Sequence, residues 1–337
     1  MLHLQNVTLD NIAKRIKREK MRIVVYGAGM IGKIVAPDMI QRYDLLENID
    51  CYVDCDVRKQ GKYITIGDKP VKICSPTVLD SIAQNSILFI TNSNYSVVLA
   101  TLDENKHLNG MDAIIIPVMQ ALAVKERTNA TEIILRNYSE ELIPKKIHYC
   151  WFSGKEMPDY LKKCIESWHE KCPEYEIIRW DESNYDIHKN IYMEQAYNAQ
   201  KWGFVPDFAR LDILYTYGGF YLDTDVELLQ SLNDLRGQGA FCGVEKWGNI
   251  NMGGCSGAMK HHPMIGEMLA YRENIPFVYP DGTMNLETCG VYETQPFIKH
   301  GMAINNSTQR INDMTVFSSD FFHPYDYMSG ETILTKQ

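Results

Sequence analysis

Residues 22–32 constrain the fold more than any other stretch. The apolar run Arg22-Ile23-Val24-Val25-Tyr26 passes directly into Gly27-Ala28-Gly29-Met30-Ile31-Gly32, and a helical pattern follows. A strand that ends in G-x-G-x-x-G and opens a helix reads as the first unit of a parallel β-α-β sheet. The glycines permit a tight turn and a close approach to a phosphate, and the new helix offers N–H groups to an anion. A second strand, Ile49 to Val53, ends at Asp54, where an acidic side chain is placed to hold a ribose hydroxyl. Strands over Ile87–Thr91 and Ala113–Pro117 extend the sheet. Gly27, Gly29, Gly32 and Asp54 are therefore candidate nucleotide-binding residues, with a purely structural glycine turn as the competing reading.

The chain has 337 residues, and at roughly 150 residues per domain this predicts two domains. With 45% hydrophobic and 23% charged residues it has the composition of a soluble globular protein. No run approaches the roughly 18 consecutive apolar residues of a membrane-spanning helix. The N-terminal stretch has no apolar core followed by a small-residue cleavage site, so secretion by that route is not expected. Nine cysteines without paired C-x-x-C spacing read as reduced thiols, which predicts a cytoplasmic protein. Residues 1–140 carry 17 Lys and Arg against 16 Asp and Glu, whereas residues 141–337 carry 17 against 27. That asymmetry separates two halves and argues against a nucleic-acid surface on the acidic one. An anionic ligand bound there is expected to bring a cation with it.

The predicted organisation is a Rossmann-like parallel-sheet domain over 1–120, a helical linker over 121–143 and a second α/β domain over 144–337. Lys14, Arg15, Lys17, Arg18 and Lys20 crowd the first helix. A solvated helix face is the plain reading, and adhesion to an anionic membrane surface the sharper one.

In the second half, Lys145 to Phe152 forms a β-type run, Pro158 opens a helix with Leu161, Ile165 and Trp168 at core spacing, and Tyr175 to Trp180 forms another strand. The densest stretch is Gly203 to Leu229. Pro206 suits a first helical position, Asp207 and Arg210 share one helix edge, and Gly218-Gly219 ends the helix. In the strand expected next, Phe220, Leu222, Thr224 and Val226 point one way and Tyr221, Asp223, Asp225 and Glu227 the other. Asp223 and Asp225 would then lie about 6.5–7 Å apart on one face. Acids so placed repel one another unless a cation neutralises them, and oxygen ligands favour Mn2+ or Mg2+ completed by diphosphate and water. A bare D-x-D is weak evidence, since Asp54-Cys55-Asp56 is another; the preceding helix and the Gly-Gly break raise the second pair above the first.

This segment resembles the DXD signature of glycosyltransferase family 32 and its capsular-polysaccharide relatives, and is similar to the glucosyltransferase domains of the large clostridial toxins. The likeness extends to Ile147-His148-Tyr149-Cys150-Trp151 and to Gly282-Thr283 through His300-Gly301. It implies a GT-A fold and a retaining transfer of a hexose or N-acetylhexosamine from a nucleotide-sugar, UDP-linked in the favoured case, to a saccharide or lipid-linked acceptor. By the same resemblance Asp207, Arg210, Asp223 and Asp225 form the catalytic set. Tyr149, Trp151, Tyr221 and Asn251 join Asp207 and Arg210 around the donor, and Asp223 and Asp225 hold the metal. It places the work in surface polysaccharide synthesis, in the cytoplasm or at the inner membrane face. Family members continue past Gly330-Glu331-Thr332 into a segment with a His and a Ser-x-Trp-like ending, which a chain stopping at Gln337 is expected to lack.

Other residues are better explained without chemistry. His261-His262 suits a solvated helix start, Cys164 and Cys172 suit packing, His148 suits a hydrogen-bonded strand histidine, and the Asn306-Ser307-Thr308 sequon means little without secretion. Two alternatives to the transferase stand beside it: an NAD(P)-dependent sugar oxidoreductase centred on Gly27–Gly32, and a non-catalytic sugar-nucleotide-binding regulator.

Overall fold

The computed structural model describes residues 1–5, 7–120, 141–326 and 331–332. Linker residues 121–140, and residues 327–330 and 333–337 near the expected ending, lie outside that description. The chain divides into two units, Met1–Ala130 with Ala303–Asn305, and Thr131–Met302 with Asn306–Gln337. Both are mixed α/β.

In the first unit seven strands, β1 (His3–Leu4), β2 (Arg22–Tyr26), β3 (Ile49–Val53), β4 (Tyr63–Ile66), β5 (Lys69–Cys74), β6 (Ser86–Ile90) and β7 (Asp112–Ile115), form one sheet in the order β1-β7-β6-β2-β3-β5-β4. All neighbours are parallel except β4, which returns antiparallel to β5 across a Gly67-Asp68 turn. That hairpin and the edge strand β1 are additions to the expected sheet. Both faces are covered: Val24, Tyr26, Val53, Leu88 and Ile90 enter one cluster, while Ile23, Val25, Tyr52 and Phe89 are buried on the other side. Burial on both faces is the normal condition of parallel strands and explains their unbroken apolar runs.

Sheet growth reverses between β2 and β6, so the turns that follow them leave adjacent strand ends. Gly27 has φ +109°, and a Cβ there would come within 2.6 Å of Thr91 Oγ1; a Cβ on Gly32 would overlap the Gly27 carbonyl, whereas Gly29 faces open space. Asp54 turns inward. Its Oδ2 accepts the Ala28 N–H at 2.7 Å and its Oδ1 accepts the Asp56 N–H at 2.8 Å, with Lys59 Nζ 3.3 Å away. The carboxylate expected at a ribose is therefore tied to the glycine turn itself. The basic helix Leu9–Glu19 buries Ile12, Ala13 and Ile16 and pairs most of its cations with carboxylates: Lys14 with Asp10, Arg15 with Glu19 and Asp112, Lys17 with Asp44, Arg18 with Glu19.

The second unit is built on strands β8 (Lys146–Cys150), β9 (Glu176–Trp180), β10 (Gly219–Tyr221), β11 (Ala240–Val244), β12 (Ile250–Asn251), β13 (Ser256–Ala258), β14 (Gln309–Ile311) and β15 (Met314–Phe317). Their order is β14-β15-β11-β13-β10-β8-β9, with β12 paired to β11. β9, β8 and β10 are parallel, as are β11 and β15, while β13 runs antiparallel between β10 and β11. On one face Ile147, Phe220 and Leu222 pack with Trp168 of helix Asp159–Lys171. On the other, helix Pro206–Tyr217 packs on β8 and β10, helix Pro263–Arg272 packs on that helix, and helix Cys289–Lys299 packs against both the latter and β12. No described helix is long and apolar enough to cross a membrane, and all nine cysteines are free thiols.

Candidate active site

Helix Pro206–Tyr217 starts on a proline, whose missing N–H costs nothing there, and stops at Gly218 (φ +64°) and Gly219 (φ +107°). A Cβ at 218 would come 2.8 Å from Lys260 N, and one at 219 would come 2.8 Å from Lys146 O, so both positions need glycine for space as well as for φ. The chain then re-enters the sheet as β10, and the Leu222 N–H still reaches His148 O at 3.1 Å.

Here the structure corrects the expected strand. β10 ends at Tyr221, and the Val226 N–H donates to Asp223 O at 3.1 Å, closing a turn over Asp223–Val226. The two-residue alternation through Glu227 therefore does not persist. Asp225 and Glu227 stand exposed and Asp223 is half-buried, so the three acids do not line one strand face. Like charges on one face are destabilising, and a turn relieves them.

Asp207 and Arg210, on successive turns of the helix, are both almost fully buried. Arg210 Nη2 donates to Asp207 Oδ1 at 3.0 Å and lies 3.8 Å from Asp223 Oδ1, and its guanidinium sits 5.5 Å over the Tyr221 ring. The Tyr221 hydroxyl donates to Asp223 Oδ1 at 3.1 Å. Burial alone would lower the Arg210 pKa, but Asp223 and Asp207 hold it well above its ordinary value. Burial pushes Asp207 up, against the pull of Arg210 and Arg272.

Three further side chains complete the cluster, none anticipated from sequence. Glu293, on helix Cys289–Lys299, accepts the Met252 N–H through Oε2 at 3.1 Å and brings Oε1 to 3.7 Å from Arg210 Nη1; burial raises its carboxyl to about 7. Arg272, ending helix Pro263–Arg272, places Nη2 3.5 Å from Asp207 Oδ2, which also accepts from the Tyr192 hydroxyl at 3.3 Å. His323 fills the space beside Gly254; its Nε2 is buried without a hydrogen-bond partner, and burial holds its pKa down to about 4. For two of these a signal exists in the sequence. Glu293 falls among buried Gly290, Thr294 and Phe297, and Arg272 follows buried Ile265 and Met268, each a charge on an otherwise apolar helical stripe.

The remaining candidates are placed as follows. Asn251 is engaged within its own loop: its amide donates to Glu245 Oε1 at 3.0 Å, and its carbonyl accepts from Gly253 N and Gly254 N at 2.8 and 3.0 Å. Trp151 lies just past the end of β8, half-buried, with Nε1 donating to Lys155 O at 2.8 Å. Tyr149 packs edge-on to Trp168 with ring centroids 5.6 Å apart, on the sheet face opposite Tyr221 and Arg210. His148 accepts from Trp180 Nε1 at 3.1 Å and bonds Gly218 O at 2.9 Å through Nε2; it is fully buried, and desolvation holds its pKa down to about 4. His262 caps its helix through Nδ1, but is buried rather than solvated.

For a divalent cation, the hard donors available are the carboxylates of Asp223 and Asp225 at the mouth of the turn. His323 adds an unpartnered buried nitrogen that Asp223's charge reaches. Among the described residues no three such side chains already converge on one point. Two carboxylates and an imidazole fit the donor chemistry of Mn2+ and, through oxygen, Mg2+.

A family model described as the glycosyltransferase sugar-binding region containing the DXD motif matches residues 158–242. An uncharacterised glycosyltransferase of Acanthamoeba polyphaga mimivirus is 28% identical over 200 residues, covering 54% of this chain and 74% of the relative. Inositol phosphoceramide mannosyltransferase 3 of Schizosaccharomyces pombe is 35% identical over 101 residues, 28% of this chain and 27% of the relative. Among solved structures, the glycosyltransferase PaToxG aligns with TM-score 0.36 and 18% identity over 55% of this chain and 78% of its own. With a DXD-type sugar-binding region spanning both the Asp207–Arg210 helix and the acid turn, and with glycosyltransferases among its relatives, the chain is an enzyme of the glycosyltransferase class.

Proposed function

We propose that the second unit is a GT-A-type domain that transfers a hexose or N-acetylhexosamine, with retention at the anomeric carbon, from a nucleotide-sugar to a saccharide or lipid-linked acceptor. The observation that carries the reading is the gathering of Asp207, Arg210 and Asp223 where β10 gives way to the acid turn. Cleaving the anomeric C–O bond builds negative charge on the diphosphate and positive charge on the sugar ring. Arg210 is held charged and aimed by Asp207, so it meets the departing phosphate without reorganising. Asp223, its Oδ1 fixed by the Tyr221 hydroxyl, keeps a carboxylate near the electron-poor ring. Asp223 and Asp225 would hold Mn2+ or Mg2+, with His323 beside them, and the bound ion supplies neutralisation of the leaving group. Trp151 offers an aromatic face to the nucleobase from the end of β8.

UDP-sugars are the favoured donors. The mannosyltransferase relatives favour a second reading, a mannosyl donor carried on GDP and an inositol-phospholipid acceptor. The Rossmann-like first unit is assigned no chemistry, since Asp54 is tied to its own turn. A place in surface polysaccharide synthesis, in the cytoplasm at the inner membrane face, suits a lipid-linked acceptor.

The test is calorimetric titration of UDP and GDP, with and without Mn2+, into wild type and Asp225→Asn. Mn2+-dependent binding of one nucleotide, lost in the variant, is expected. Absence of binding by either nucleotide in the wild type sinks the reading, and tight binding of NAD in its place would move attention to the glycine turn.

A further inference from the structure

Arg272 carries five N–H donors on a side chain only 2% exposed, yet neither Nε, Nη1 nor Nη2 makes a hydrogen bond. An unpartnered buried polar group is costly, and a buried charge more so. The guanidinium carbon lies over two rings, 4.3 Å from the Tyr192 centroid and 4.7 Å from the Tyr292 centroid. Cation–π attraction offsets part of the cost. The polar atom it faces is Asp207 Oδ2, at 3.5 Å from Nη2. Tyr192 serves both ends of this contact, its ring under the guanidinium and its hydroxyl on the same carboxylate oxygen.

The charge pattern explains why a second cation is useful at this place. Asp207, Asp223 and Glu293 all approach Arg210, at 3.0, 3.8 and 3.7 Å. One guanidinium cannot satisfy three carboxylates equally, and without help Asp207, the closest, would hold most of it. Arg272 and Tyr192 take up Oδ2 of Asp207 and leave Oδ1 to Arg210 Nη2, the nitrogen that also approaches Asp223, while Nη1 faces Glu293.

We propose that Arg272, set over Tyr192 and Tyr292, is a positioning residue that orients Asp207 and through it sets the direction of Arg210. The proposal rests on the transferase reading of that site. It assigns Arg272 no contact with substrate; its effect passes through two other side chains.

The experiment uses the full chain as wild type, Arg272→Met, Arg272→Lys, Asp207→Asn and the Arg272→Met/Asp207→Asn double variant. Each is measured for hydrolysis of nucleotide-sugars without acceptor and for its urea midpoint. Arg272→Met preserves the bulk and is expected to lower kcat by about 10- to 100-fold with KM changed less than about threefold. Arg272→Lys, which keeps the charge but not the flat face, is expected to recover part of kcat. In both kcat and urea midpoint the double variant should fall short of the sum of the single changes, because the two residues act as a unit. A folded Arg272→Met with wild-type kcat and KM overturns the proposal, as does an additive cycle. A lowered urea midpoint with unchanged kcat marks a packing residue and overturns it equally. If wild type neither binds nor hydrolyses any donor, the transferase reading has failed separately. The urea cycle then still decides whether Arg272 holds Asp207.

Discussion

The carboxylate of Asp223 occupies the space that a side chain on residue 253 would need: a Cβ on Gly253 would overlap Asp223 Oδ2 and come within 2.9 Å of Arg210 Nη1. The same glycine accepts the Asp223 N–H on its carbonyl at 2.8 Å. Gly253→Ala is therefore expected to displace the acid rather than unfold the domain, since Asp223 is half-buried and has room to swing outward. Donor hydrolysis should fall about 100-fold, the usual consequence of a misplacement near 1 Å, with a far smaller change in urea midpoint. Equal loss of stability and activity would show that the glycine serves packing alone.

Arg210→Lys keeps the positive charge but loses the planar fork that reaches Asp207, Asp223 and Glu293 at once. We expect kcat/KM for the donor to drop by about 100- to 1,000-fold, in the range for removing one fixed donor from a developing anion. Steady-state kinetics at saturating Mn2+ checks this, and near-wild-type kcat/KM would show that charge alone suffices.

Two buried groups should give stability opposite slopes with pH. Glu293 has a raised folded-state pKa of about 7, so the native state holds more protons than the unfolded chain between the ordinary carboxylate range and pH 7. Its contribution is present at low pH and lost as pH rises toward 7; Glu293→Gln removes that fall. His148 has a lowered pKa of about 4, so its contribution is present above its ordinary value near 6.5 and lost as pH falls toward 4. His148→Gln flattens that limb. Urea midpoints of each variant across pH 4–8 test both signs, and a wild-type-minus-variant difference independent of pH would contradict the assignment.

In the first unit, Gly32→Ala would drive a Cβ into the Gly27 carbonyl, a backbone atom with little freedom to yield. Overpacking of this kind costs about 1–3 kcal/mol. Asp54→Ala, which strips the Ala28 N–H of its acceptor, should cost about 1–2 kcal/mol. Denaturant melts give both values; stabilisation of Asp54→Ala by NAD would show that the carboxylate had been guarding a ligand site.

The parallel sheet of the first unit was legible because β2 and β3 are apolar runs bounded by glycine and acid, and their observed limits equal the expected ones. The adjacency of Asp207 and Arg210 was legible because three residues on a helix is a contact distance. The acid turn was misread because two-residue alternation looks alike in a strand and in a chain leaving one. What ended the strand was the partner strand β13, which goes no further than Ser256 opposite Tyr221, a tertiary fact. Asp54 was open to two readings for a related reason: its spacing from the glycines suits a ribose or the turn's own N–H equally well. Glu293 and Arg272 reach the site from later helices and His323 from the residue just past helix Ser319–Phe322, and no local pattern joins them to Asp223.

The paired glycines at 218 and 219 bear on how the chain can vary in length. Five residues, Gly218 to Leu222, separate the helix carrying Asp207 and Arg210 from Asp223, and their backbone is gripped by residues 146–148 on one side and 256–260 on the other. One inserted residue there would turn β10 over and move the carboxylate by a strand step of about 3.3 Å. A few positions later, Leu229 to Ser231 is exposed and outside regular structure. A scan of single-residue insertions should therefore find an abrupt boundary, with insertions lethal to function before Asp223 and accepted after Leu228.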